Sequence, residues 1–258
     1  MRQSAAFGSE VWLLANRISR LWQIDCIRGI AVVLMVFYHF MWDVHYFGLY
    51  AVDVAVGAWH WFSRVIAVTF MLLVGVSLVL SAQRRSPAAR DRRWLERAVK
   101  LYGWALVITA VTWYFVGDEF VLFGILHLIA TALLLAPLLW RIRPLVPWLG
   151  VLCIGLGLFL TTRPVAKDSY WLIPLGLSSP RYATVDYYPL FPWLGVIMLG
   201  MAIGPWIADR LQRAGAASSA PPQVLVPLVW AGRHSLAIYI AHQPLLLTGF
   251  WLLGYTMW

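Results

Sequence analysis

The sequence contains little charge for its length. Only 12% of its 258 residues are Asp, Glu, Lys or Arg, whereas apolar residues make up 62%. A soluble domain of this size carries about twice that charged fraction. Several apolar stretches approach about 20 residues, the length that crosses roughly 30 Å of hydrocarbon. The composition therefore excludes an ordinary soluble domain and favours a membrane protein.

Cysteine, alternating strand patterns and internal repeats are also scarce or missing. Cys26 and Cys153 lie at or inside apolar runs, without the spacing of a metal site or a disulfide framework. The apolar runs do not alternate with polar residues, which excludes the strands of a closed barrel and leaves helices. The missing repeat argues against the inverted-repeat architecture that is common among transporters.

The apolar runs predict an all-α membrane bundle of about seven transmembrane helices. Residues 1–23 are predicted to be a cytoplasmic or interfacial N-terminal segment, and residues 24–258 to form one transmembrane domain. A short apolar piece at 224–230 is expected to be re-entrant or interfacial. The predicted spans are 27–47, 57–82, 98–117, 119–140, 145–162, 186–208 and 232–252.

Basic residues outnumber acidic ones by 20 to 11, and their placement is informative. Arg and Lys gather in alternate connections: before the first run, and between runs two and three, four and five, and six and seven. The positive-inside rule then places the N-terminus in the cytoplasm and the C-terminus outside. Membrane topology therefore explains the net charge of +9 better than nucleic-acid binding does.

The first run carries four ionisable residues, Asp25, Arg28, His39 and Asp43. Such residues are costly inside a membrane and indicate a functional site by default. Arg28 and His39 share one helix face about 16 Å apart, which places Arg28 at the inner mouth and His39 near the midplane. Asp43 lies one turn beyond His39 and is expected to orient its imidazole. In an alternative interpretation, Arg28 is only a topological anchor paired with Asp25.

Two further histidines, His127 and His242, are expected at a similar depth, while Asp186 and Tyr188 stand at the outer mouth. The alternative for each histidine is a hydrogen bond that only joins helices. A metal held by His39, His127 and His242 would lack any local ligand spacing, so no metal is expected.

Short motifs in this order resemble a known family. Arg28 and His39 reproduce the Arg, ten intervening residues and His that open transmembrane acyltransferases. The other motifs lie at 70–77, 124–127, 188–195 and 232–236, followed by Tyr239, His242, Gln243 and Pro244. Over about residues 20–250 the chain resembles bacterial relatives of the heparan-α-glucosaminide N-acetyltransferase catalytic domain.

The resemblance implies transfer of an acetyl group from cytosolic acetyl-CoA to a sugar amine or hydroxyl on the outer side. The acceptor would be an envelope glycan or an amino sugar, the location the inner membrane of a bacterium, and a homodimer is allowed. It implies that Arg28 binds acetyl-CoA and that His39 and Asp43 are catalytic. The residues expected to bind substrate are His127, Asp186, Tyr188, His242 and Gln243.

The resemblance has one departure, and other functions stay open. In the lysosomal member an Asn corresponds to His39, and the proposed catalytic His lies in the loop before the second helix. In that region this chain offers only His60, so His60 is the alternative to His39. The competing functions are a proton-coupled transporter that uses buried His and Asp as relay groups, and a non-catalytic scaffold.

Overall fold

The computed structural model describes residues 21–51, 53–54, 56–83, 86–163, 165, 169–179, 182–214 and 220–255. These residues form eight α-helices and contain no strand, which confirms the predicted all-α class. The helices are α1 (Trp22–Tyr46), α2 (Gly57–Ala82), α3 (Pro87–Val116), α4 (Ile125–Arg141), α5 (Val146–Thr161), α6 (Leu190–Arg213), α7 (Val226–Arg233) and α8 (Ser235–Leu252).

Among the described helices, α1, α2, α3, α6 and α8 are long and apolar enough to cross a membrane, while α4 and α5 are apolar but shorter. The chain is therefore a multi-pass membrane protein. Each of the seven predicted spans overlaps one of these helices. The orientation of the N-terminus, and the division at residue 23, stay predictions. Residues 1–20 and Arg84 and Arg85 lie outside the described residues.

Two helix starts differ most from the prediction. Helix α3 begins at Pro87 rather than 98, because Ser86 precedes a proline that suits the first helical position. Helix α4 begins only at Ile125, after a short 3₁₀ turn at Gly117–Glu119. The predicted interfacial piece at 224–230 forms the short helix α7.

The chain divides into two compact units. The first comprises the described residues of Met1–Phe70 and Arg210–Trp258, and the second those of Met71–Asp209. In the first unit α7 packs backbone to backbone on α1. A Cβ added to Gly29 would lie 1.9 Å from Leu228 O, and one added to Gly232 only 1.7 Å from Asp25 O. Only glycine permits this approach. The close contact holds α7, which leads into α8, against α1.

The second unit is built around α4 and a close crossing of α2 and α6. Leu128 and Ala132 of α4 are fully buried. A Cβ on Gly75 would lie 2.0 Å from Ile197 O, and one on Gly200 2.3 Å from Leu72 O. Small residues that let helix backbones approach are typical of membrane bundles, where dispersion rather than water exclusion drives association.

Candidate active site

Two histidines meet in the first unit. The imidazoles of His39 on α1 and His242 on α8 lie edge to face, with ring centroids 4.7 Å apart. His242 is buried, and its Nε2 atom makes no hydrogen bond within the described residues. A buried polar atom without a partner is uncommon in native proteins, so this one calls for a functional explanation.

Hydrogen bonds to each helix's own backbone define the tautomers of this pair. Nδ1 of His39 is 2.9 Å from Met35 O, and Nδ1 of His242 is 2.6 Å from Tyr239 O. A carbonyl oxygen can only accept, so each Nδ1 carries the proton and donates it. The neutral rings therefore keep their lone pairs on Nε2, the atom at the far end of the ring. Both residues are thus available as bases.

Asp43 and Gln243 form a second pair next to these histidines. Gln243 Nε2 donates to Asp43 Oδ1 over 2.8 Å, and Asp43 is only 2% exposed. Asp43 Oδ2 and Gln243 Oε1 are buried and make no hydrogen bond to the described residues. The sequence suggested that Asp43 orients His39. In the structure the imidazole bonds to Met35 O instead, and Asp43 bonds to Gln243.

Asp25 joins two arginines at the first turn of α1. Arg28 Nη1 lies 2.8 Å from Asp25 Oδ1, and Arg233 Nε lies 3.3 Å from Asp25 Oδ2. The Asp25 side chain is 3% exposed and that of Arg233 44%. The predicted pairing of Arg28 with Asp25 is therefore present. Two guanidinium groups around one carboxylate leave a local excess of one positive charge.

His127 belongs to the second unit, and both of its ring nitrogens have partners there. Nδ1 accepts the backbone N–H of Gly124 over 3.3 Å, so the neutral ring carries its proton on Nε2. Nε2 lies 3.5 Å from Thr109 Oγ1, which in turn donates to Val121 O over 2.7 Å. His127 thus closes the first turn of α4 and bonds it to α3, as a helix-joining histidine does.

Asp186 and Tyr188 support the same helix start. Asp186 Oδ2 accepts the N–H of Ile125 over 3.0 Å, a capping contact at the positive end of α4. The backbone N–H of Tyr188 donates to Phe123 O over 3.2 Å, and its ring packs on Trp193. These contacts give Asp186 a structural role next to His127.

The alternative base, His60, has simpler surroundings. Its ring makes an edge contact with Trp61, and its carbonyl accepts the hydroxyl of Ser63. Within the described residues no hydrogen bond or ring contact joins its imidazole to a second titratable group. No cluster of three or more His, Cys, Asp or Glu in the described part of the chain could hold a metal.

The sequence did not single out Arg233 or the contact between Asp43 and Gln243. Arg233 was visible only as part of the motif at 232–236, and its position after Gly232 was the available signal. The two residues of the Asp43 contact lie 200 positions apart in the chain. No local sequence pattern connects them, since each residue is near a histidine of its own helix and far in sequence from the other residue.

Comparisons with known proteins give one match. Residues 20–244 match the family described as heparan-alpha-glucosaminide N-acetyltransferase, catalytic. No curated protein and no solved structure matches the chain. The family points to a membrane acetyltransferase in general, which agrees with the apolar helices. Because the match covers most of the sequence, the chain belongs to the heparan-alpha-glucosaminide N-acetyltransferase catalytic domain family.

Proposed function

We propose that this protein transfers an acetyl group from cytosolic acetyl-CoA to an amine of an amino sugar or envelope glycan on the outer side of a bacterial inner membrane. The observation that carries this proposal is the His39 and His242 pair, 4.7 Å between ring centroids, with both Nε2 lone pairs available. Acyl transfer needs a base that removes the acceptor's proton as its heteroatom attacks the thioester.

His39 is the proposed base. Its Nδ1–H is held by Met35 O, so Nε2 is presented as the acceptor without help from Asp43. His39 also lies on the same helix face as Arg28, because eleven residues correspond to about three helical turns. His60 has no comparable neighbour, which favours His39 over it. The family gives no support to the transporter alternative.

The chemistry of the remaining buried atoms favours an amine over a hydroxyl. Asp43 Oδ2, Gln243 Oε1 and His242 Nε2 are all acceptors, and none has a donor within the described residues. A neutral amine offers two donors and keeps the lone pair that attacks the thioester, whereas a hydroxyl offers only one donor. We therefore assign Asp43 and Gln243 to bind the acceptor's amine.

Arg28 is the proposed contact for the phosphates of acetyl-CoA. It lies at the start of α1, where Arg28 and Arg233 together exceed the charge of Asp25 by one positive charge. Phosphate groups are bound well by guanidinium donors. Arg28 is paired with Asp25 in the structure. We therefore propose that Arg28 attracts the phosphates electrostatically and exchanges Asp25 for a phosphate when acetyl-CoA binds.

The test is turnover in detergent, followed as free thiol released from acetyl-CoA with glucosamine as the acceptor probe. Wild-type turnover that depends on glucosamine, and a raised KM for acetyl-CoA in Arg28→Ala, are expected. Glucose is the matched probe, because it replaces the amine with a hydroxyl, and it should react far more slowly. An equal rate with glucose would contradict the amine assignment, and no thiol release from any acceptor would contradict acetyl transfer.

A further inference from the structure

His242 has an environment that binding alone does not explain. Its Nδ1–H is already used by Tyr239 O, and its Nε2 is buried next to a second base that has the same tautomer. Two lone pairs cannot satisfy each other, because a hydrogen bond needs one proton between them. Neither imidazole therefore supplies the donor that the Nε2 lone pair of the other ring lacks.

We infer that His242 is a catalytic residue that shares the acceptor's proton with His39 and returns it to the departing thiolate. This inference rests on the proposed acetyl transfer. The amine nitrogen forms a bond to the thioester carbon, and the bond between carbon and sulfur breaks. The nitrogen's proton moves to Nε2 of one imidazole, is shared across the pair, and ends on sulfur, so the thiol leaves and both imidazoles are neutral again.

The neighbouring pair supports this arrangement. Gln243 follows His242 on α8, and Asp43 lies one turn beyond His39 on α1, so their 2.8 Å hydrogen bond joins the two helices beside the imidazoles. Asp43 is four residues after His39 on α1, a spacing that places the two Cβ atoms about 5–6 Å apart. A carboxylate at this range favours a positive imidazolium. A proton held between the two rings would therefore be stabilised where it is formed.

One substitution removes the Nε2 atom and keeps a hydrogen-bond donor at the position of Nδ1. In His242→Asn the amide occupies the position of Nδ1, so the contact with Tyr239 O can persist while the distal nitrogen is removed. We expect kcat with glucosamine to fall by about 10²–10⁴, with the KM for glucosamine changed little, because proton transfer rather than binding is lost. The double variant with His39→Asn should be scarcely slower than either single variant, since the two rings act as a unit.

The matched control is His234→Asn. His234 also directs Nδ1 to a backbone carbonyl, Trp230 O at 2.9 Å, but it is exposed. This variant should keep its kcat, and thermal unfolding should show that His242→Asn remains folded. His242→Gln, which places an amide near the Nε2 position without a basic lone pair, gives a second variant if the first is unstable.

The outcomes are distinct. A His242→Asn variant with unchanged kcat and a raised KM makes His242 a binding residue and overturns the inference, while acetyl transfer stands. Losses from His39→Asn and His242→Asn that multiply in the double variant also overturn it, because the rings would then act separately. No turnover by the wild type overturns the proposed function together with this inference.

Discussion

The histidines of the two units have the same side chain but opposite hydrogen-bonding patterns. In the first unit His39 and His242 bind a carbonyl through Nδ1 and leave Nε2 without a partner in the described residues. In the second unit His127 accepts a backbone N–H through Nδ1 and directs Nε2 to Thr109. The first arrangement leaves bases available, whereas the second uses the whole ring to close a helix start.

This difference shows why depth in a membrane does not by itself identify a catalytic histidine. His127 was predicted to bind substrate, because it lies on an apolar helix and belongs to a motif. Its position three residues after the Gly124 cap is the position from which a side chain reaches back to the cap N–H. A histidine that belongs to a motif can therefore have both ring nitrogens engaged in local hydrogen bonds.

The largest expected effect tests the base in the first unit. His39→Gln should lower kcat for thiol release by about 10²–10⁴, because glutamine can hydrogen-bond but cannot take a proton. His45→Gln, an exposed histidine in the last turn of the same helix, is the matched control and should keep the wild-type rate. A His39→Gln enzyme that turns over like the control would move the chemistry to His60.

The next effect tests the packing that brings α8 to α1. Gly232→Ala should lower the free energy of unfolding by about 1–3 kcal/mol or more, because its Cβ would overlap Asp25 O. It should also reduce kcat by displacing the start of α8.

The control for this packing is Gly249→Ala on α8, where, apart from its own stretch of helix, no atom of the described residues lies within 4 Å of the added Cβ. It should be neutral, or more stable by about 0.5–1 kcal/mol, since alanine favours helix. Thermal unfolding in one detergent compares the two. Equal stabilities would show that the close contact between α1 and α7 is unimportant.

A smaller effect tests the hydrogen bond beside the imidazoles. Gln243→Leu removes the donor to Asp43 and leaves a carboxylate that is 2% exposed without this partner. The expected loss is about 1–3 kcal/mol of unfolding free energy, together with weaker binding of glucosamine. Gln212→Leu, at an exposed glutamine of α6, should stay within about 0.5 kcal/mol of the wild type. Matching losses in the two variants would argue against a buried Asp43.

The smallest effect tests the cap in the second unit. His127→Leu should cost about 1 kcal/mol of stability, because the N–H of Gly124 loses its acceptor. His127→Gln should recover most of that loss, since glutamine is a regular residue of a capping box at this position. Thermal unfolding measures both. If glutamine restores nothing here, the contrast between the histidines of the two units fails.

Much of the helix layout could be predicted from the sequence, whereas the site could be predicted only in part. The run at 27–47 corresponds to α1, and the run at 57–82 has the same bounds as α2. Arg28 and His39 could be placed on one face because helix period is a local property. The partner of Asp43 could not be found in this way, since Gln243 lies on a helix distant in sequence.

Three features were determined by the sequence alone: the all-α class, the set of apolar helices and the shared stripe of Arg28 and His39. They depend on hydropathy and helical period, which act over neighbouring residues. Tertiary structure decided that His242 meets His39, that Gln243 rather than His39 engages Asp43, and that His127 closes a helix start. The physical reason is that a side chain's hydrogen-bond partner depends on which helices pack together, and that packing is set by contacts such as Gly232 on Asp25 O.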